Sequence, residues 1–354
     1  MFFTPSLNIG GIERVFITYA NKLCSKYDVT YVCTHKNGNL TTLLDSKIFF
    51  HSLDKKRLRQ SLFALTKYLI KESPDILITG GNIANCLCLF AIILSRRNIK
   101  LIMSHHNYFN VEQNNLLSKW LIKLFYNKAN SIISVSHGIT DFLIRQGINP
   151  HKICTIYNPI DIESIKIKST NISSHIIPTN NYIVSIGRLN KVKNIILMID
   201  AYMIFHQKHP DVKLVIVGDG EERDNIIKHI EAHQIQSHVL LVGSTDNPYP
   251  YIYNSKLVLS TSLSEALPTV FLESLALGKT IVATPTLGAI DILKKEQYGY
   301  LSSSLTEVEA FSNKITKAYN TPKSVDILQK EASTYSIDKK IKELENLFQS
   351  ILNN

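Results

Sequence analysis

The stretch SLSEALPTVFLESLA, residues 262–276, follows the apolar run Leu257-Val258-Leu259-Ser260, which has the length and character of a buried strand. A helix is expected to open at Pro268, because the first helical position needs no N–H. Glu265 then falls in the loop before the helix, and Glu273 about a turn and a half inside it. The N–H groups of Leu267, Thr269 and Val270 would face whatever docks at the helix start, a setting that suits a phosphate. If the whole interval were helical, the two carboxylates would stand about 12 Å apart. A glycoside-cleaving pair flanks one bond at about 5–9.5 Å. The spacing therefore suits the two ends of one long polar ligand: a sugar at Glu265, a diphosphate at the helix start and a ribose at Glu273. Alone, the same pattern describes a surface helix with two solvated acids, so the surrounding chain has to decide.

Around this stretch, residues 182–320 alternate short apolar runs with helical periods. The strand at 182–186 leads into Gly187-Arg188-Leu189-Asn190-Lys191-Val192-Lys193 and a helix over 194–209. Residues 213–217 form a strand ending in Gly218-Asp219-Gly220, with a helix over 221–233. Further strands are expected at 239–242 and 279–283, the latter followed by a turn at 285–288. Arg188 and Lys193 flank a strand-to-helix turn, where they are placed to neutralise a diphosphate.

The first 165 residues show the same alternation, which indicates a second α/β unit with a parallel sheet. Residues 1–4 read as the tail of a strand. Gly10-Gly11 opens a helix striped by Ile12, Val15, Phe16, Tyr19, Ala20 and Leu23. Residues 55–71, KKRLRQSLFALTKYLIK, form a basic amphipathic helix, and 113–127 form another, holding the only tryptophan, Trp120. Either could lie in a membrane interface, although both also describe ordinary core stripes under a solvated face. The strand at 100–104 ends in His105-His106-Asn107, at the end of a sheet where ligands sit. Residues 161–181 lose their apolar period and read as a linker. The helix over 336–352 has an apolar face, Ile341, Leu344, Leu347, Phe348 and Ile351, which nothing later can cover. It must pack backward.

A chain of 354 residues has room for two ordinary domains. With 45% hydrophobic and 19% charged residues it is neither disordered nor membrane-spanning. Residues 1–15 place Glu13 and Arg14 where a secretory leader would be apolar, so no leader is expected. The five cysteines show no metal-ligand spacing, which points to reduced, structural thiols. Residues 1–165 hold 19 Lys/Arg against 10 Asp/Glu, a balance of +9, while the remainder holds 20 against 19. Nucleic acid, an anionic membrane or an acidic substrate would each suit the basic half. No aromatic-interleaved basic strand or known nucleic-acid module is present, so nucleic acid is not an expected partner.

Taken in order, Gly10-Gly11-Ile12-Glu13-Arg14, His106-Asn107, Asn158-Pro159-Ile160-Asp161, Gly187-Arg188-Leu189 with Lys193, Val217-Gly218-Asp219-Gly220 and Glu265…Glu273 resemble glycosyltransferase family 4. The resemblance spans nearly the whole chain. It implies a GT-B fold: two Rossmann-like α/β domains facing each other across a cleft, the last helix crossing back to the N-terminal domain. The expected domains are 1–165 with 336–354 for the acceptor, and 166–335 for the donor. It further implies that Arg188 and Lys193 hold the donor diphosphate and stabilise the leaving group. Glu273 would accept from the ribose hydroxyls. Glu265 would bind the transferred sugar, assisted by the backbone from Leu267 through Pro268 and Thr269 to Val270. Gly11 and Gly218 would let backbone approach the donor, and His106 would line the sugar site. No metal and no cofactor beyond the nucleotide diphosphate sugar is expected, since no D-x-D stands at a strand end. Three departures accompany the resemblance. The chain opens in mid-strand, Ala266 stands where glycine is usual, and Asp291 replaces a common glutamate.

The implied activity is retaining transfer of a sugar, with a UDP-sugar the expected donor. The expected acceptor is a lipid-linked oligosaccharide or other precursor of a surface polysaccharide such as lipopolysaccharide or capsule. The basic N-terminal domain would face an anionic membrane, with the protein peripheral on the cytoplasmic face of the inner membrane of a bacterium. Two rivals remain at this point: a GT-B nucleotide-sugar epimerase, and a non-catalytic sugar-nucleotide-binding partner in a polysaccharide assembly complex.

Overall fold

The computed structural model describes the chain except for residues 9, 36–37, 107–115, 172–180 and 354, and the side chains of 116–119. The chain forms two compact units, Met1–Pro159 with Ile337–Asn354, and Ile160–Ser336.

In the first unit, β1 (Phe2–Thr4) leads into α1 (Gly11–Leu23), β2 (Thr30–Cys33) and β3 (Phe49–Ser52). Helix α2 (Leu62–Glu72) returns the chain to β4 (Ile76–Gly80). Then come α3 (Asn82–Ser95), β5 (Lys100–His105), α4 (Leu116–Phe125), β6 (Ser131–Ser134), α5 (His137–Arg145) and β7 (Ile153–Thr155). The strands pair in parallel in the order β3-β2-β1-β4-β5-β6-β7. Right-handed crossovers place α1 on one face of this sheet and α2 to α5 on the other.

The second unit opens with α6 (Ile162–Ser169), β8 (Tyr182–Ile186), α7 (Ile195–His206), β9 (Lys213–Val217) and α8 (Arg223–Ala232). It continues through β10 (Val239–Gly243), α9 (Tyr249–Asn254), β11 (Leu257–Ser260), α10 (Thr269–Ala276) and β12 (Thr280–Ala283). It closes with α11 (Leu287–Leu293), β13 (Gly299–Leu301), α12 (Val308–Asn320) and α13 (Val325–Ala332). These six strands are also parallel, in the order β10-β9-β8-β11-β12-β13. Helices on both faces bury the central strands completely, which is why they read as unbroken apolar runs.

Helix α14 (Ile337–Leu352) supplies Ile341, Leu344, Leu347, Phe348 and Ile351 to the core of the first unit, beside Val15, Phe16 and Tyr19 of α1. Its uncovered face is thereby buried, as the sequence required. Lys22 with Asp338 and Lys26 with Glu345 pair at the rim.

Three expectations change. Residues 161–169 are not a linker. Asp161 caps α6 by accepting from Ser164 N–H at 3.0 Å, and Ile165 is buried. The basic helix begins at Leu62 rather than at residue 55, because Leu58–Ser61 forms a separate 3-10 turn in which Gln60 Oε1 accepts from Arg57 N–H. Residues 285–288 do not stay a turn, since Thr286 caps α11. All five cysteines are free, and burial pushes the Cys33 and Cys88 thiols up to about 12. Those two buried thiols are protonated and inert as nucleophiles.

Candidate active site

In the second sheet the strand order reverses between the neighbours β8 and β11. Their carboxyl ends mark the point where ligands bind in open α/β sheets. The loops leaving β8, β9 and β11 carry Arg188, Lys193, Gly218, Glu265 and the start of α10, so one sheet edge gathers the predicted donor groups.

The β8 and β11 loops are laced together. Leu263 N–H donates to Val192 O at 2.8 Å, and Thr261 Oγ1 donates to Lys193 O and Asn194 O, both at 2.9 Å. Asn190 caps the turn by accepting from Lys193 N–H. On this frame Lys193 Nζ meets Glu265 Oε1 at 2.5 Å, and the same oxygen accepts from Ser262 Oγ at 2.9 Å. Thr284 Oγ1 fixes Ser262 O at 2.6 Å, and Gly288 N–H donates to Glu265 O at 2.9 Å. The ammonium and the carboxylate are thus held from both sides in partly covered positions.

Gly218 belongs to the same frame. Its φ is +146°, and a Cβ there would stand 1.9 Å from Gly187 O. No other residue allows the β8 and β9 ends to approach this closely. Arg188 behaves differently from Lys193. Its side chain is 72% exposed and, among the described residues, pairs with an exposed acid, Glu221, at 3.3 Å. Such a contact is weak, so the guanidinium can leave it for a bound anion. Glu221 was not singled out in the sequence, because an acid opening a helix is ordinary.

Two readings of the key stretch need correction. Pro268 is the N-cap of α10, in extended conformation with ψ 111°, and not its first helical residue. Helix geometry therefore leaves the N–H groups of Thr269 and Val270 without an intrahelical acceptor, while Phe271 N–H donates to Pro268 O at 3.0 Å. Only Thr269 to Glu273 rises as helix, about 6 Å, so the 12 Å estimate does not hold. What separates the acids is their partners. Glu265 sits on Lys193, whereas Glu273 Oε1 accepts from Tyr249 Oη at 3.3 Å. Tyr249 escaped notice because the aromatic run of α9 looks like core. Ala266 stands against Gly288, where a Cβ would lie 2.9 Å from Ala266 O.

In the first unit, His106 follows β5. Its Nε2 lies 2.7 Å from Ser104 Oγ, and its ring meets Phe16 edge-on at 6.0 Å. Burial first, and His105 second, push its pKa down to about 3, so the ring is neutral at physiological pH. It hydrogen-bonds but does not act as a cation. His106 lines a small cavity with Phe16, Tyr19, Val135 and Asn158, and the buried Oδ1 of Asn158 has no hydrogen-bond partner among the described residues. Asn107 lies outside the described residues. At the start of α1, a Cβ on Gly11 would meet nothing within 4 Å, whereas one on Gly10 would strike Glu13 Oε2 at 2.1 Å. Gly11 is the open glycine, and Glu13 occupies the helix start beside it with its pKa raised by burial.

Among the described residues, Asp200, His229 and His233 form the one group able to hold a metal ion, with His229 Nε2 2.6 Å from Asp200 Oδ1. They stand on or just after α7 and α8 and share no residue with the strand-end loops.

Residues 9–164 match the family model for Glycosyltransferase Family 4, and residues 168–335 match that for Glycosyl transferases group 1. The chain is 29% identical over 346 residues to the N-acetylgalactosamine-N,N'-diacetylbacillosaminyl-diphospho-undecaprenol 4-alpha-N-acetylgalactosaminyltransferase of Campylobacter jejuni, covering 90% of this chain and 91% of that one. It is 24% identical over 366 residues to the UDP-Gal:alpha-D-GlcNAc-diphosphoundecaprenol alpha-1,3-galactosyltransferase of Escherichia coli, covering 96% and 94%. Anabaena HepE, solved in complex with UDP-glucose, shares the fold at a TM-score of 0.83 and 20% identity, covering 99% of this chain and 98% of that one.

Proposed function

Because the chain belongs to glycosyltransferase family 4 and has the GT-B fold of its structural neighbours, we propose that it transfers a sugar from a UDP-sugar to a lipid-linked oligosaccharide or related surface-polysaccharide precursor, with retention of configuration. The observation that carries this reading is the Lys193–Glu265 pair set beside the open start of α10. A cation, a carboxylate and two N–H groups without an intrahelical acceptor lie on the loops at one end of the second sheet, a setting that suits a diphosphate joined to a sugar.

In this reading Lys193 and the N–H groups of Thr269 and Val270 hold the diphosphate. Arg188 swings from Glu221 to stabilise the leaving group as charge develops on it. Glu265 turns its carboxylate to the hydroxyls of the transferred sugar, and Glu273, steadied by Tyr249, accepts from the ribose. His106 offers a neutral ring to the sugar, and Gly11 leaves room for the donor. The two bases neutralise the diphosphate, so the reaction proceeds without a metal.

Both relatives named above act, by their names, on diphospho-undecaprenol acceptors, which supports a lipid-linked acceptor here. No helix among the described residues is long and apolar enough to cross a membrane. Such an acceptor is then met at the surface, and we place the protein on the cytoplasmic face of the inner membrane.

The test is transfer of labelled sugar from a panel of UDP-sugars to undecaprenyl-diphosphate-linked acceptors in the presence of EDTA. Product with an unchanged anomeric configuration is expected. An isomerised sugar formed from donor alone would identify an epimerase instead, and no turnover of any donor would leave a binding partner.

A further inference from the structure

Away from the strand-end loops, the second unit carries three metal-ligating side chains that the proposed reaction does not use. Asp200 lies in the middle of α7, His229 in the last turn of α8, and His233 at the C-cap of α8. One ligand atom from each lies within 4.8 Å of the others.

Asp200 is the outlier of its helix, the sole charged residue between Ile195 and Phe205. Its side chain is 30% exposed, and a carboxylate covered to that degree among apolar neighbours needs a partner. His229 is one, with Nε2 at 2.6 Å from Asp200 Oδ1. Against a carboxylate, which accepts, that nitrogen carries the proton.

Such a contact needs one imidazole, and here there are two. His229 and His233 are four residues apart, so the helix end sets both rings on one face, with centroids 4.4 Å apart. His233 Nδ1 lies 2.9 Å from His229 O. A carbonyl only accepts, so Nδ1 is the protonated nitrogen, and the neutral ring keeps its lone pair on Nε2. Metal-bound histidines use the same arrangement: one nitrogen donates to a carbonyl and fixes the tautomer, which leaves the other for the ion. Two imidazoles and a carboxylate suit Zn²⁺, whereas Mg²⁺ and Ca²⁺ take oxygen ligands.

We propose that Asp200, His229 and His233 bind one Zn²⁺ ion that staples α7 to α8. The ion takes the place between Asp200 and His229. The His229 proton passes from Nε2 to Nδ1, so the ring binds as neutral imidazole, and water fills the fourth position. Bonds of about 2.0–2.1 Å to a tetrahedral ion bring the ligand atoms to roughly 3.3 Å from one another. His233 is exposed, so rotation of its side chain closes the site. The stapled helices follow the loops that carry Lys193 and Gly218. His229 stands about 9 Å along α8 from its start, so the ion stays clear of the reacting groups. The metal-free reaction proposed above is unaffected.

The experiment titrates Zn²⁺, and separately Mg²⁺, into the tag-free full chain by calorimetry, with Co²⁺ as a spectroscopic probe of the same site. One Zn²⁺ per chain is expected, with much weaker Mg²⁺ binding and the visible bands of four-coordinate Co²⁺. Zn²⁺ at about a hundred times its Kd should raise the melting temperature by roughly 5 °C. Asp200→Asn and His233→Gln should each weaken Zn²⁺ by at least about tenfold. His233→Gln, at an exposed position, should melt with wild type in EDTA, so its result stands even if Asp200→Asn unfolds. The control is His206→Gln, which breaks a second close pair, His206 and His238, with centroids 4.2 Å apart. It should bind Zn²⁺ as wild type does. No Zn²⁺ binding by wild type, undiminished binding by folded His233→Gln, or loss in His206→Gln instead would overturn the proposal.

Discussion

Lys193 and Glu265 meet at 2.5 Å across 72 residues of chain, on two loops that leave adjacent strands. In the proposed function the ammonium of this pair is shared with the donor diphosphate. Lys193→Ala leaves Glu265 partly covered and without its cation, which should cost about 1 kcal/mol in a denaturant melt. The Lys193→Ala/Glu265→Ala double variant should be less destabilised than the sum of the singles, because each removes the same interaction. Strict additivity would mean that the contact carries no energy.

Gly218 sets the spacing of the strand ends. With a Cβ 1.9 Å from Gly187 O, Gly218→Ala must push β9 away from β8 or distort both turns. A loss of about 2–4 kcal/mol is expected, read as a lower melting temperature and accompanied by weaker nucleotide binding. An alanine variant with a wild-type melt would show that the turn is looser than described.

The pH dependence of stability reports on His106. Burial depresses its folded pKa to about 3, below the ordinary value of 6.5. On acidification the unfolded chain takes up the proton first, so stability falls as pH drops from 6.5 towards 3. At pH 5 the contribution lost is about 2 kcal/mol. His106→Gln should flatten that part of the stability–pH curve while leaving the curve above pH 7 parallel to wild type. An unchanged slope would place the acid sensitivity elsewhere.

Helix α14 completes the core of the first unit, where Leu344 is buried with Val15 and Tyr19. Leu344→Ala should cost about 2–4 kcal/mol, visible as an earlier thermal transition. A loss below about 0.5 kcal/mol would mean that the helix contributes little to that core.

Much of this architecture was legible because parallel sheets write themselves as apolar runs. Tyr182–Ile186 and Leu257–Ser260 are buried on both faces, and that requirement leaves few other readings. The uncovered face of residues 336–352 likewise demanded a partner. Local features resisted. Helix α6 is short and rich in lysine, and its stability comes from the Asp161 cap and from packing on α9 and α10, neither of which has a periodic signature. Pro268 fits either side of a helix boundary, because its fixed φ serves an N-cap as well as a first residue. Tyr249, Glu221 and Glu13 gain their places only through residues distant in sequence or through the fold of a turn.

The most direct measurement is calorimetric titration of UDP and of a UDP-sugar substrate into wild type, Lys193→Ala, Glu273→Gln and Glu265→Gln. Lys193→Ala should weaken both ligands at least tenfold, and Glu273→Gln should weaken both more modestly. Glu265→Gln should weaken the UDP-sugar while sparing UDP, because the proposed function assigns its carboxylate to the transferred sugar. Undiminished UDP binding by a folded Lys193→Ala variant, or equal losses for UDP and UDP-sugar in Glu265→Gln, would contradict the assignment of cation and acid to the two parts of the donor.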